Sequence, residues 1–578
     1  MVNAIIDNIK VEVPENTTIL AAAKQVGVKI PTLCYWEGLN EIGACRVCVV
    51  EVEGYDRLFT ACNNCVEEGM VIHTDSRRAQ EARRNNVQLI LSQHNDECPS
   101  CQRSGNCSLQ TLANDMNLGK NPFEKELPVN ELSDTSFPLI RDYSKCIKCL
   151  RCVQVCDKIQ HVNIWDVVNS GGNSTVDVAD FYRLNESDCA LCGQCITHCP
   201  VGALIERDDT AQLLRAIHDE EKIVVAQIAP SIRTAWGEAF GMDPEEATVE
   251  RLAACLKRIG VDYVFDTNFT ADLTIMEEAN EFLERVKDKE NSKFPMFTSC
   301  CPGWVRFVKG HYPDYVDNLS SAKSPQQMFG AVAKSYYADV LGVDPHKIYV
   351  LSIMPCLAKK HECAIPAMND ACGDPDVDVA LTTREIDRLI KMAHLDPKLI
   401  SDIELDMPLG IGSGAGNIFG ATGGVMEAAL RTAYFAVTGS NPDPDTFKDV
   451  RGMDGWKEVT FDLAGTPLRV AVVNGLGNAD NLLKALKNGE VDYDFVEVMA
   501  CPGGCVGGGG QPIHDGYSLK QERADVLYNQ DKAMELRFSH ENPSIKAIYE
   551  DYLGKPLSEK SEHLLHTDHH AWKMPDER

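Results

Sequence analysis

The sequence predicts a multidomain α/β chain in which small cysteine-bound modules precede one large α/β domain. Three observations predict it. Eight of the 24 cysteines lie in one motif written twice, Cys146-x2-Cys149-x2-Cys152-x3-Cys156 and Cys189-x2-Cys192-x2-Cys195-x3-Cys199-Pro200. After Glu206 the cysteine density falls and apolar periodicity rises. The 578 residues exceed several times the ~150 residues of a typical domain. With 44% hydrophobic and 25% charged residues, the chain is ordinary globular material with enough apolar side chains for a large core.

The twin motif is the ligand run of a module carrying two 4Fe-4S clusters. Three thiolates at two-residue gaps wrap one cubane, and the fourth cysteine crosses to the neighbouring cluster. One cluster is expected to take Cys146, Cys149, Cys152 and Cys199, the other Cys189, Cys192, Cys195 and Cys156. A disulfide framework is the poorer reading, because Cys-x-x-Cys pairs in a reducing compartment favour metal. This bacterial ferredoxin-like unit is expected over residues 126–209.

Upstream, residues 2–13 alternate like a strand pair with a turn near Asp7-Asn8, and residues 17–26 read as a short helix opened by a threonine cap. Then comes Cys34-x10-Cys45-x2-Cys48-x13-Cys62. This order resembles the plant-type 2Fe-2S ferredoxin layout, with a different spacing, and the N-terminal domain of respiratory NADH dehydrogenase large subunits. The resemblance implies a β-grasp 2Fe-2S domain over residues 1–78. Cys65 is an alternative fourth ligand, with Cys62 preferred. Residues 79–92 are helical in pattern and lead into His94-x3-Cys98-x2-Cys101-x5-Cys107. A structural zinc site is open to such a set. Between two Fe-S modules a 4Fe-4S cluster with one imidazole ligand is preferred, and neutral imidazole in place of anionic thiolate changes cluster charge and potential. This small unit is assigned to residues 79–125. Pro122, Pro128 and Pro138 mark residues 119–140 as a connector.

Residues 210–578 form the large α/β domain, with strands expected at 223–228, 349–353 and 468–473 and helices at 248–259 and 271–286. Cysteines recur there in Thr298-Ser299-Cys300-Cys301-Pro302-Gly303-Trp304, in Met354-Pro355-Cys356-Leu357-Ala358-Lys359-Lys360-His361-Glu362 and in Met499-Ala500-Cys501-Pro502-Gly503-Gly504-Cys505, the last followed by Val506 and four glycines. Cys301, Cys356, Cys501 and Cys505 are expected to converge on one cluster. Glycine permits close backbone approach to a cofactor there. Four buried free cysteines are a poor alternative for residues flanked by Pro, Gly and Lys.

These three segments resemble the TSCCP, MPCxxKK and MACxGGC signatures of iron-only (FeFe) hydrogenases, over essentially the whole chain. They are most similar to the large clostridial-type enzymes and to catalytic subunits of multimeric NAD(P)-linked hydrogenases. Pro502 stands where some members have histidine. The resemblance implies reversible dihydrogen chemistry at an H-cluster. Its 4Fe-4S part would be held by Cys301, Cys356, Cys501 and Cys505. Cys505 would bridge to a di-iron subsite bearing CO, CN⁻ and azadithiolate. Lys359 would hold one cyanide, Pro230 and Ser231 the other. Gln326, Met354, Phe419 and Met499 would line the pocket. It further implies proton transfer through Cys300, Glu278, Ser320 and Glu281 to Arg285. Glu278, Glu281 and Arg285 share one helical face, a pattern that an ordinary ion-pair stripe also gives. One 2Fe-2S and three accessory 4Fe-4S clusters would relay electrons. They would exchange with ferredoxin, or with flavin-containing NAD(P)H-linked or formate dehydrogenase subunits.

The formal charge of −30 argues against nucleic acid and anionic membrane surfaces. No apolar run approaches the ~20 residues of a membrane helix, and the opening segment lacks secretory features, so a cytoplasmic protein is expected. The run Gly412-x-Gly414-x-Gly416 does not complete a dinucleotide loop, because Phe419 stands where the last glycine would fall. His566, His569 and His570 are expected in a flexible tail. Cys255, Cys363 and Cys372 are read as structural thiols. Two rivals are a non-catalytic hydrogenase-like Fe-S assembly factor and an NADH or formate dehydrogenase large subunit. The first has no need of Cys300, Lys359 or Met354, and the second would require a different catalytic half.

Overall fold

The computed structural model describes residues 1–127, 134–179, 183–463 and 465–575, so Pro128 of the expected connector lies outside the described residues. At the N-terminus, Val2–Ile6 and Ile9–Val13 pair antiparallel. Asp7 and Asn8 turn the chain with φ of 46° and 68°, the left-handed pair that a tight two-residue hairpin needs. Met70–His73 adds parallel to the first strand, and Val49–Val52 and Leu58–Thr60 complete five strands. Ile6, Val13, Ile19, Val50 and Ile72 fill the core beneath. The helix Ile19–Gln25 is capped by Thr18, whose side chain accepts from Ala21 N. The helix Arg77–Ser92 is capped by Ser76, and its Arg83 reaches back to Val49 O at 2.8 Å.

The twin motif folds as a twin structure. Its helices, Arg151–Lys158 and Gln194–His198, each begin after a left-handed residue, Leu150 and Gly193. Lys148 and Leu191 are also left-handed, at equivalent places in the two cysteine runs. These reversals wind three thiols of each run inward. Two short antiparallel pairs frame the unit, Leu139–Arg141 with Leu204–Glu206 and Trp165–Val168 with Thr175–Val178.

The large domain contains two four-stranded sheets. One runs Tyr263–Asp266, Ile223–Ile228, Ile348–Ile353, Val379–Leu381, all parallel. The other runs Met296–Phe297, Phe495–Met499, Thr466–Asn474, Trp456–Leu463, with only the last strand antiparallel. Helix Thr267–Lys287 starts four residues before the expected position, because the Asp266 side chain caps it by accepting from Asn268 N. One apolar core runs from Leu33 and Val47 through Val155 and Ile196 into Val473 and Leu482, so the cysteine-rich units pack directly on the second sheet. No helix among the described residues is long and apolar enough to cross a membrane.

Buried ions gather around Asp209. The Lys360 ammonium is fully buried and donates to Asp209 Oδ2, Glu385 Oε1 and Ala380 O at 2.8, 2.8 and 2.9 Å. Burial opposes ionisation of nearby Glu206, but Arg384 and Arg388 outweigh it and hold that carboxyl well below the usual range. Lys360→Met should therefore leave buried Glu385 without its cation and Asp209 with Arg207 alone. Thermal or denaturant unfolding should register a loss of about 3–5 kcal/mol, and an unchanged midpoint would contradict this assignment.

Candidate active site

All the signature segments leave the carboxyl ends of parallel strands. Ala229-Pro230-Ser231 follows Ile223–Ile228, and Met354-Pro355-Cys356 follows Ile348–Ile353. Thr298–Cys301 follows Met296–Phe297, and Ala500–Cys505 follows Phe495–Met499. Ligands of open α/β sheets bind outside the carboxyl ends of their strands. Here two sheets present those ends to one apolar cavity of about 80 Å³.

Cys300, Cys301, Cys356 and Cys505 line this cavity, together with Pro230, Ser231, Gln326, Met354, Lys359, Phe419 and Met499. Burial pushes the thiols of Cys301, Cys356, Cys501 and Cys505 up, and repulsion by neighbouring thiols pushes Cys356, Cys501 and Cys505 further. Thiols packed this way are poor ionised groups alone and good ligands once a cation compensates them. Cys501 faces the other side, with its Sγ 3.6 Å from Cys192 O. Cys301 opens helix Pro302–His311, and its Sγ accepts from Ala500 N at 3.4 Å. The glycine run is sterically required. Gly504 has φ +90°, and a Cβ on it would fall 2.7 Å from Thr422 N. A Cβ on Gly508 would fall 2.2 Å from Pro355 O.

Lys359 Nζ donates to Glu362 Oε2 at 2.9 Å and Cys300 O at 3.2 Å. Burial disfavours its charge, but Glu362 more than compensates, so the ammonium persists. Glu362 also accepts from Ser324 Oγ and Gln326 Nε2, both at 2.9 Å, and Ser352 Oγ donates to Gln326 Oε1 at 2.8 Å. The sequence reading missed Glu362 as the anchor of this network. Its signal was the Lys-x-x-Glu spacing, one turn apart on a helix. Ser231 Oγ is buried without a hydrogen-bond partner. An orphaned hydroxyl, a buried ammonium and four thiols around an apolar space fit a metal unit that carries small polar ligands.

Cys300 is half-buried at the cavity wall, and its thiol is pushed up first by desolvation and then by Glu278. Glu278 is itself fully buried, with neither carboxylate oxygen meeting a hydrogen-bond partner at normal geometry. Burial, then repulsion by Glu281, pushes it up to about 8, so it holds its proton at neutral pH. Ser320 Oγ donates to Glu281 Oε2 at 2.6 Å, and Arg285 Nη2 donates to Glu281 Oε1 at 2.7 Å. The structure thus brings all five expected residues into one file that ends at half-buried Arg285.

The other cysteines fall into groups. Cys34 packs against Cys45 and Cys48 against Cys62. Cys65 lies outside them, exposed, with its Sγ on Asn16 O. Among the ferredoxin-like cysteines, burial raises Cys152 and Cys192 first; the thiols that add to it are Cys149, Cys146 and Cys199 for Cys152, and Cys195, Cys189 and Cys156 for Cys192, the grouping that the crossed spacing calls for. His94 Nδ1 lies 3.0 Å from Lys145 O, which leaves Nε2 to face a metal. Cys101 and Cys107 lie close enough to interact electrostatically, and Cys98 begins the turn Cys98–Ser100. Cys255 is a core residue, Cys363 donates to Lys359 O at 3.1 Å, and Cys372 lies near surface groups His346 and Asp374.

Neighbouring groups touch through their loops. Asn40 Nδ2 donates to Cys34 O and Cys149 O, at 2.6 and 3.0 Å. Arg103 Nη1 donates to Cys199 O at 2.8 Å, and Gln194 Nε2 to Gly507 O at 2.9 Å. Glycines 412, 414 and 416 serve packing: added Cβ atoms would strike Asn268 or Asp531. One expectation is corrected. The C-terminal histidines are not all in a free tail, because His569 Nε2 bonds Ser320 O and His566 bonds Ser321 and Glu277. Only His570 is exposed, on Asp317.

Comparison with known proteins agrees along the chain. Residues 222–509 match the family described as iron only hydrogenase large subunit, C-terminal domain, and residues 517–572 match iron hydrogenase small subunit. Residues 1–77 match a 2Fe-2S iron-sulfur cluster binding domain, 83–122 the NADH-ubiquinone oxidoreductase-G iron-sulfur binding region, and 145–203 a 4Fe-4S dicluster domain. The chain is 47% identical to NADP-reducing hydrogenase subunit HndD of Solidesulfovibrio fructosivorans, over 98% of both chains. It is 40% identical to iron hydrogenase 1 of Clostridium pasteurianum, over 98% of this chain and 99% of that one. A solved FeFe-hydrogenase HydA1 variant from Chlamydomonas reinhardtii superposes with TM-score 0.57 at 41% identity, covering 64% of this chain and 99% of that one.

Proposed function

The chain belongs to the iron-only hydrogenase family, and on that premise we propose that it interconverts dihydrogen with protons and electrons at an H-cluster seated between the two sheets. The observation that carries this is the convergence of Cys301, Cys356, Cys505, Cys300 and Lys359 on one apolar cavity, with Cys501 in electrostatic contact with the first three from behind it. When bound, the H-cluster supplies the redox chemistry: a cubane and a di-iron unit with CO, CN⁻ and azadithiolate, at which two protons and two electrons interconvert with dihydrogen.

The residues have separate tasks. Cys301, Cys356, Cys501 and Cys505 would hold the cubane, and Cys505 would also serve the di-iron unit. Lys359, fixed by Glu362, donates to one anionic ligand, a charge-assisted bond in an apolar site. Ser231, beside Pro230, donates to the other. Met354, Met499 and Phe419 keep water out, and Gln326 braces the lysine segment. Cys300 exchanges the proton at Sγ with Glu278, whose carboxyl is already protonated at neutral pH. Ser320 passes it to Glu281, and Arg285 holds that carboxylate at the surface end.

Electrons travel the cysteine groups, in units that we assign to residues 1–78, 79–125 and 126–209 ahead of the catalytic domain at 210–578. One 2Fe-2S cluster on Cys34, Cys45, Cys48 and Cys62 and a 4Fe-4S cluster on His94, Cys98, Cys101 and Cys107 form two branches. Both touch the loops of the Cys146–Cys199 group, and a cluster on the Cys192 group would hand electrons on across the 3.6 Å contact between Cys192 O and Cys501 Sγ. The similarity to a subunit named NADP-reducing, and to an NADH-ubiquinone oxidoreductase region, supports flavin-containing NAD(P)H-linked subunits as partners ahead of ferredoxin or a formate dehydrogenase. Co-purification from the native source tests this: a flavin-bearing partner is expected, and isolation as a lone chain speaks against it.

The matured chain should reduce a viologen dye with dihydrogen under anaerobic conditions; no uptake removes the proposal. Gly193→Val should separate the last accessory cluster from the catalytic one. Its Cβ would fall 2.8 Å from Gly509 Cα and 2.9 Å from Leu357 Cδ1, and the left-handed backbone costs a further ~1–2 kcal/mol. Dye-linked turnover should fall while hydrogen–deuterium exchange at the site, which needs no long-range electron, persists. A parallel loss of both would contradict the relay order.

A further inference from the structure

The carboxy-terminal strap, at the end of the segment that matches the small-subunit family, closes over the outer side of the proton route. Lys323 N donates to Leu565 O at 2.7 Å and Thr567 N to Ser321 O at 2.8 Å, and His566 bridges Ala322. Buried Lys309 donates to His569 O at 2.5 Å and Trp572 O at 2.8 Å, and its ammonium lies 4.5 Å over the Trp572 ring. These contacts aim two imidazoles at residues 320 and 321. His569 Nε2 lies 2.8 Å from Ser320 O. His566 Nδ1 lies 2.8 Å from Ser321 Oγ, and its Nε2 lies 3.1 Å from Glu277 Oε2. On the opposite side Glu281 accepts from Ser320 Oγ and Ser321 N, while Arg285 donates to Leu319 O.

We propose that His569 is a positioning residue for proton transfer, fixing Ser320 through its carbonyl so that the hydroxyl stays between Glu278 and Glu281. The inference rests on the proton route assigned above. Ser320 lies in no helix or strand, so its orientation depends on these bonds. The hydroxyl donates to Glu281 Oε2 at 2.6 Å, accepts from Ala322 N at 3.2 Å and lies beside Glu278, and a rotation about this peptide would pull it out of that position. Burial lowers the pKa of His569, and the neutral ring bonds a carbonyl only with its proton on Nε2.

The test uses the full-length, cluster-loaded enzyme. His569→Ala should lower kcat about tenfold, since small misplacements of a reacting group are costly. KM for the electron acceptor should stay unchanged, and the solvent isotope effect should rise as proton transfer becomes limiting. Amide exchange over residues 319–323 should quicken. His569→Gln, whose amide can still donate to the carbonyl, should restore most of the rate. His569→Asn, polar but too short, gives the same reading if the alanine variant does not fold. Wild-type kcat and isotope effect in the alanine or asparagine variant overturn the proposal, as does a loss that glutamine does not rescue at an unchanged isotope effect. Glu281→Gln separates the two assignments. If it turns over normally, the route itself is wrong. If it is slow while His569→Ala is normal, only the role of His569 fails.

Discussion

Cys300→Ala is expected to lose turnover by roughly 10²–10⁴-fold while the H-cluster still assembles. Cys300 lines the cavity but is not among the four thiols that face one another as a ligand set. It is the cavity thiol in electrostatic contact with Glu278. No other group lining the cavity can relay a proton as well. Lys359 is held charged by Glu362, and Ser231 has no titratable partner bonded to it. Glu278→Gln preserves shape and burial but removes the exchangeable carboxyl proton, so it should produce a loss of the same order. Because the two residues act in series, the double variant should be hardly worse than either single one. Dihydrogen evolution from a chemical reductant, read beside the infrared spectrum of each variant, checks this. Retained turnover in either single variant would remove that residue from the route.

Cys505→Ala carries the second large effect. Cys505 lies at the cavity wall and belongs to the same electrostatic group as Cys301 and Cys356. Its loop is fixed by Gly504 against Thr422 and by Gly508 against Pro355, so no neighbouring thiol can swing in to replace it. Turnover should vanish, CO and CN⁻ bands should be lost and iron content should fall. The paramagnetic signals of the accessory clusters should remain, because their ligands lie in other units. Cys65→Ala, at an exposed thiol outside the paired groups, is the control and should change none of these. Wild-type infrared bands in the Cys505 variant would contradict its shared ligation.

Some of this was readable from sequence because its chemistry is local. The crossed cysteine groups follow from a spacing repeated within each run, and the left-handed backbone at Lys148, Leu150, Leu191 and Gly193 is the price of that winding. The strand at 223–228 is an apolar run interrupted only by Gln227 and appears with the same bounds. Of the second sheet only the strand expected at 468–473, seen as Thr466–Asn474, was legible. Its strands Met296–Phe297 and Phe495–Met499 pair across about 200 residues, and a two-residue strand gives no periodic signal. Helix Thr267–Lys287 begins in a polar Thr-Asn-Phe-Thr run, which hides its start from an apolar-period reading. The candidate site divides the same way. Lys359 and the cysteines announce themselves by motif, whereas the anchoring role of Glu362 is visible only with Ser324 and Gln326 folded against it. His566 and His569 read as tail residues because their partners lie near positions 320 and 277, far along the chain. Lys360, beside Lys359 in the same motif, turns away from the cavity to bind Asp209 and Glu385; helix position, not residue type, separates the two roles.

The central claim is that the cavity between the two sheets holds a metal unit bearing diatomic ligands and acting on dihydrogen. Infrared spectroscopy of the matured, full-length chain tests it most directly, recorded under inert gas and then under dihydrogen. The account predicts CO and CN⁻ bands that shift when dihydrogen is admitted, and that are lost in Cys505→Ala but retained in Cys300→Ala. A fully matured protein with intact accessory clusters and no such bands would contradict it.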